Sequence, residues 1–82
     1  MKYADGTAIK RGDRVRIAGK HRGVVVADID GAAYLESYPK EQWTYLGSGV
    51  LIDTDFGGLV HYQQENIVSA DIRLESREER SR

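Results

Sequence analysis

The residues of this chain best equipped for chemistry are two histidines, His21 and His61, and two aspartate pairs, Asp28 with Asp30 and Asp53 with Asp55. One residue separates the members of each pair, so on a strand both carboxylates share a face. That spacing suits a divalent cation, a basic partner or hydrolytic acid–base work. Acid–base work needs one carboxyl buried and raised in pKa. Both pairs instead stand at strand ends before glycine turns, "DIDG" and "DTDFGG", where aspartate serves the turn itself. His21 lies in a turn among cations, and His61 has no nucleophile or carboxylate at a motif spacing. Two histidines with no cysteine and no His-x-x-x-His do not make a metal-site pattern. A phosphate loop, a nucleophile elbow and a dinucleotide fingerprint are all missing from the sequence. The expectation is a binding protein with no catalytic residue, metal or cofactor.

Binding chemistry concentrates in "YLESYPKEQWTYLG", residues 34–47, which holds Tyr34, Tyr38, Trp43 and Tyr45, four of the seven aromatic rings. Pro39 pre-sets a first helical turn, with Ser37 upstream as a cap, and Gly47-Ser48-Gly49 stops the segment. Helical spacing puts Trp43 and Leu46 on one face. A Trp there can anchor a small core, burying up to roughly 250 Å². Tyr45 is then about 200° away and faces solvent. Tyr38 and Tyr45, beside Glu36 and Glu41, become an acidic aromatic patch of the kind that forms binding hot spots. Tyr38, Glu41, Tyr45, Asp53 and Asp55 are therefore the candidate protein-binding residues, and a basic protein surface is the complementary partner.

The charge distribution offers an alternative. Between residues 10 and 22, Lys10, Arg11, Arg14, Arg16, Lys20 and Arg22 stand against Asp13 alone. Between 28 and 65, Asp28, Asp30, Glu36, Glu41, Asp53, Asp55 and Glu65 stand against Lys40 alone. A dipolar surface of this kind steers charged partners. Arg14, Arg16, Lys20 and Arg22 are the candidate nucleic-acid-binding residues, because clustered cations in a turn engage phosphates. Against that reading, the net charge of the chain is −1.

These side chains must be positioned by short strands. "RVRIA" alternates charged and β-branched residues, "GVVVADID" gives a second strand, and "VLIDT" and "LVHYQ" give two more. "ENIVSADIRL" reads as a fifth, with Ile67, Ile72 and Leu74 inward and a bulge or break between Val68 and Ile72 where the alternation slips. On "LVHYQ", Val60 and Tyr62 are the expected inward pair, or Leu59 and His61 if the register shifts by one. Five short strands with glycine-rich turns predict an all-β fold: a small SH3-like barrel of antiparallel strands with one short helical insert over 38–46, the rival being an open five-stranded sheet covered on one side by residues 34–47. The chain's 82 residues suit one domain, 1–74, followed by a charged flexible tail, 75–82. A hydrophobic share of 40% with 30% charged residues excludes a disordered or helical membrane-spanning class. The lack of cysteine and of an apolar leader predicts a cytoplasmic home.

Two resemblances add expectations. "GDRVRIAGKHRGVVV" resembles a KOW-type unit of ribosomal and transcription-factor SH3-like barrels through Gly12, Asp13, Val15, Ile17, Gly19, Gly23 and Val25. That implies RNA or ribosome contact through Lys20, His21 and Arg22. Over roughly residues 3–62, the elements "YADGT…GDRV", "GVVVADID", Tyr38-Pro39-x-x-x-Trp43 and "GLVHY" are similar to a group of small bacterial single-domain proteins. Such proteins look like the small partners encoded beside bacterial toxins, which implies an immunity-type, toxin-neutralising role. The arginine-rich tail departs from that group.

Overall fold

The computed structural model describes residues 1–35, 38 and 40–77. Six strands form one antiparallel sheet: β1 Arg14–Ile17, β2 His21–Asp28, β3 Ala33–Tyr34, β4 Val50–Thr54, β5 Gly58–Tyr62 and β6 Ile72–Ser76. The strand order is β5-β4-β2-β1-β6, with β3 paired to the far end of β2. Helix α1, Lys40–Trp43, runs into a 3₁₀ turn, Thr44–Leu46, and α2 spans Gln64–Ser69. The path of paired strands ends at β5 on one side and β6 on the other, so the sheet is open along that seam.

Period-2 alternation decides the two faces. Val15 and Ile17 of β1, Val25 of β2, Val50 and Ile52 of β4, Tyr62 of β5 and Ile72 of β6 point inward. They meet Tyr3, Ile9 and Ile67 in the main core, with Val60 and Leu74 packed against it. Full burial of one such aliphatic side chain stabilises by about 1.5–3 kcal/mol.

A second apolar cluster lies on the outer face and exists because of a bulge. Val25 pairs with Ile52 and Ala27 with Leu51, so Val26 is one residue too many for the ladder. A bulge re-aims the side chains that follow it. Val26 and Ala27 consequently join Leu51 and Ile29 in the outer cluster. Tyr34, Leu35, Tyr38, Trp43 and Leu46 of the ring-rich segment pack onto it. One eight-residue strand therefore feeds two cores.

The stretch expected as a fifth strand corrects to helix followed by strand. Gln64–Ser69 is helical and buries only Ile67, and the sheet resumes at Ile72. The side-chain oxygen Oδ1 of Asn66 accepts a bond from the Gln63 N–H at 3.0 Å, which satisfies a free donor at the helix entry. Asp71, with φ 54°, takes the left-handed turn that releases the chain into β6. The break in alternation between Val68 and Ile72 is thus the helix end. Leu74 lies inside β6, and residues 75 and 76 continue that strand. Ser37 and Pro39, read as cap and first turn, lie outside the described residues, as does Glu36. So do residues 78–82 of the expected tail.

Both ends of the described chain meet on Asp13, which is fully buried. Its Oδ2 accepts from the Tyr3 hydroxyl at 2.6 Å and from the Lys10 N–H at 2.9 Å. Arg77 donates through Nε to Oδ1 at 2.8 Å and through Nη2 to Oδ2 at 3.0 Å. Arg77 Nη2 also reaches the Ala8 carbonyl at 2.8 Å. Burial alone would push the Asp13 carboxyl up, but the bonds from Arg77, Tyr3 and Lys10 hold it below its ordinary value. The Tyr3 hydroxyl is pushed well up, first by burial and then by its bond to Asp13.

Candidate functional site

The part of the outer face left open by the ring-rich segment is built rung by rung. Arg14 pairs with Val24, Val24 with Asp53, and Asp53 with Leu59, so these four side chains stand in one row across β1, β2, β4 and β5. The next rung runs from Arg73 to Arg16 to Arg22. Asp55 continues it: its N–H donates to the Arg22 carbonyl at 2.9 Å, and its Oδ2 accepts from the Arg22 N–H at 3.1 Å.

A second bulge completes the charge pattern. Val15 pairs with Leu74 and Arg14 with Ser76, which leaves Glu75 unpaired in the ladder. Its carboxylate reaches Arg16 Nη2 at 2.9 Å and Arg22 Nε at 3.6 Å. The Arg16 hydrogen bond, helped by the nearby charge of Arg22, holds the Glu75 carboxyl below its ordinary value. Arg14, Arg22, Val24, Asp53, Asp55 and Glu75 line an open groove of about 710 Å³. At its β4–β5 end, His21 Nδ1 lies 3.3 Å from Asp55 Oδ1. The Phe56 ring packs at 4.7 Å on the His21 imidazole, tilted by 55°.

The two candidate residue sets thus share one surface. Arg14, Arg22, Asp53 and Asp55 line the groove together, Arg16 is tied to its rim by Glu75, and Lys20 is exposed in the β1–β2 turn. The expected stripe of cations is therefore interleaved with carboxylates. The ring-rich segment adjoins the groove through Val24, which packs against the outer cluster and also lines the groove.

The two tyrosines expected to be surplus to the core separate. Tyr45 is 77% exposed, as helical geometry predicts, and Glu41 is exposed on α1. Tyr38 is half-buried and packs on the outer cluster instead of standing in solvent. Trp43 closes that cluster, and its Nε1 is buried with no hydrogen-bond partner among the described residues. An unsatisfied donor of this kind costs about 1–3 kcal/mol.

The aspartate pairs do structural work as well. Asp28 Oδ1 accepts from the Gly31 N–H at 3.2 Å, and Asp30 Oδ1 from the Gly49 N–H at 3.1 Å. His61 is fixed by a 2.7 Å bond between its Nε2 and the Ser48 carbonyl. Tyr62 faces the core and Val60 packs beside it, the register expected for that strand. Among the described residues no three His, Cys, Asp or Glu side chains converge as metal ligands. No described helix is long and apolar enough to cross a membrane.

Glu75, Leu59 and Phe56 were absent from both candidate sets. The period-2 run Ile72-Arg73-Leu74-Glu75 carried a signal that the strand continues, masked by the charged residues after it. No family model, curated protein or solved structure matches the chain.

Proposed function

We propose that this chain is a small non-enzymatic protein-binding module whose contact surface is the outer groove together with the exposed Tyr45 and Glu41 beside it. The observation that carries this reading is the position of Glu75 between Arg16 and Arg22, with Asp53 and Asp55 across the groove. Carboxylates interleaved with arginines repel a phosphate backbone, yet they match the mixed charges of a protein surface. Tyr45, 77% exposed, supplies an amphipathic ring of the type enriched at hot spots. The acids Asp53, Asp55 and Glu41 favour a partner with a basic patch. Toxin neutralisation of the immunity type, with a nuclease-like active site as that patch, is the specific form we propose. We read the fold as an SH3-like barrel left open between β5 and β6, with α2 bridging the two strands.

The test is capture from a native lysate by the wild-type chain and by a Tyr45→Ala, Asp53→Lys double variant. Both substitutions are on exposed side chains, so the variant keeps the fold. Loss of one discrete protein band with the variant is the expected result. Capture of the same protein by both forms sinks the assigned surface. RNA retained by both, and released steeply as salt rises, would instead establish the nucleic-acid alternative through Arg14, Arg16, Lys20 and Arg22.

A further inference from the structure

The two edges of the sheet are built differently. β6 carries Arg73 and Glu75 on its outer face, is bulged at Glu75, and is anchored at its end by Arg77. Tyr3, Ala4 and Asp5 of the N-terminal segment form a cleft with its Arg73 and Leu74. Charges, a bulge and a covering segment are the devices that keep an edge strand from pairing with another chain.

Among the described residues, β5 has none of them. Its sequence, Gly58-Leu59-Val60-His61-Tyr62, holds no Lys, Arg, Asp, Glu or Pro. It pairs with β4 in unbroken register from Val50↔Tyr62 to Thr54↔Gly58. Among the described residues, the backbones of Leu59, Val60 and His61 make no bond outside that ladder. Four large apolar side chains stand out as exposed in the described chain. Three of them belong to this neighbourhood: Phe56, 50% exposed, in the turn before β5; Leu59, 41%, on it; and Val68, 57%, on the helix that follows.

We propose that β5 is a self-pairing edge, and that a second copy of this chain adds its own β5 antiparallel about a two-fold axis at Val60. The strand is complementary to itself. Val60 meets its own equivalent on the core side, and Leu59 lies opposite the partner's His61 on the outer side. No like charges face each other, because the strand carries none, and a net charge of −1 per chain adds little repulsion. Antiparallel pairing also carries the Phe56 end of each strand toward the α2 end of the other, where Val68 is exposed. An unrelated partner strand would match the open backbone alone; a second copy matches the apolar groups at both ends too. This assembly uses the free edge of β5, whereas the outer groove is lined from β1, β2, β4, the turn at Asp55 and β6.

Sedimentation equilibrium over a concentration series tests it, with folding of every variant checked by circular dichroism. The wild type should pass from 9.2 kDa to twice that mass as concentration rises. Leu59→Lys places a charge on the edge and should raise the dissociation constant at least about tenfold. Arg11→Glu, an exposed charge change away from β5, should leave it unaltered. Phe56→Lys, in the turn, gives the same readout if Leu59→Lys fails to fold. Amide exchange by NMR should show alternate β5 amides becoming protected as the dimer forms. A chain that stays monomeric at every soluble concentration overturns the proposal. So does a dimer that Leu59→Lys and Phe56→Lys leave intact, or β5 protection that arises only on adding a different protein.

Discussion

Two of the places where arginine meets carboxylate, at Asp13 and at Glu75, differ in a way that separates architecture from working surface. At Asp13 the acid is fully buried, and Arg77, Tyr3 and the Lys10 backbone all donate to it. Its bonding capacity is filled from three parts of the chain. On the outer face, Glu75 is shared between Arg16 and Arg22, while Asp53 and Asp55 stay exposed along the groove. Those charges retain contact with water and spare acceptor capacity. A buried, saturated cluster cannot take a partner without unfolding; an exposed, half-paired one can exchange water for a partner at little cost.

The contrast can be broken most forcefully at Asp13. Asp13→Ala leaves Arg77 and the Tyr3 hydroxyl without their acceptor, and should cost about 3–5 kcal/mol by urea unfolding. A loss near zero would mean that the buried cluster does not hold the chain ends.

Acid gives the next largest effect. The Asp13 carboxyl is depressed in the folded state, so the unfolded chain binds its proton more tightly. Its stabilising contribution is complete above the unfolded carboxylate range, about pH 4, and drains away as pH falls through the lower folded value. Thermal melts of the wild type should therefore drop below about pH 4. Asp13→Asn should flatten that part of the profile, and an unchanged slope would assign the acid sensitivity elsewhere.

The smallest effect belongs to the surface cluster. Glu75→Gln should change stability by no more than about 1 kcal/mol, since exposed pairs contribute little. By removing the acid between Arg16 and Arg22 it should nevertheless raise retention on a heparin column. A large stability loss would make Glu75 a second buried-type clamp and erase the distinction between the two regions.

Much of the frame was legible in the residues. β1 alternates cleanly and ends in a Gly turn, so its faces follow from period 2, while β4 and β5 were recognisable as strands from their apolar and β-branched residues. Tyr45 follows from its angular distance to Trp43. α2 was not legible, because Ile67 and Val68 are β-branched and the helix is only six residues long. Its entry depends on Gln63 and Asn66, neither of which makes a strong start signal on its own. β3, two residues long, is held in place by the end of β2 and has no pattern of its own. The groove depends on a bulge that re-aims Glu75, and a bulge is a property of two paired strands. One strand's sequence does not contain it. The choice between a closed barrel and an open sheet stayed undecided for a related reason: alternation specifies which side chains point inward, not whether the last strand meets the first.

The Asp13–Arg77 pair also has a consequence in time. Its partners are 64 residues apart, so the chain must bring nearly its whole described length together before the pair can form. Such a contact belongs on the native side of the folding barrier. The hairpin of β1 and β2 needs only a short turn and can form first. Weakening the clamp with Arg77→Lys should then leave the folding rate nearly unchanged and accelerate unfolding, a change confined to one arm of a chevron plot. The cluster that ties the two ends together would set how long the fold lasts, not how fast it is found.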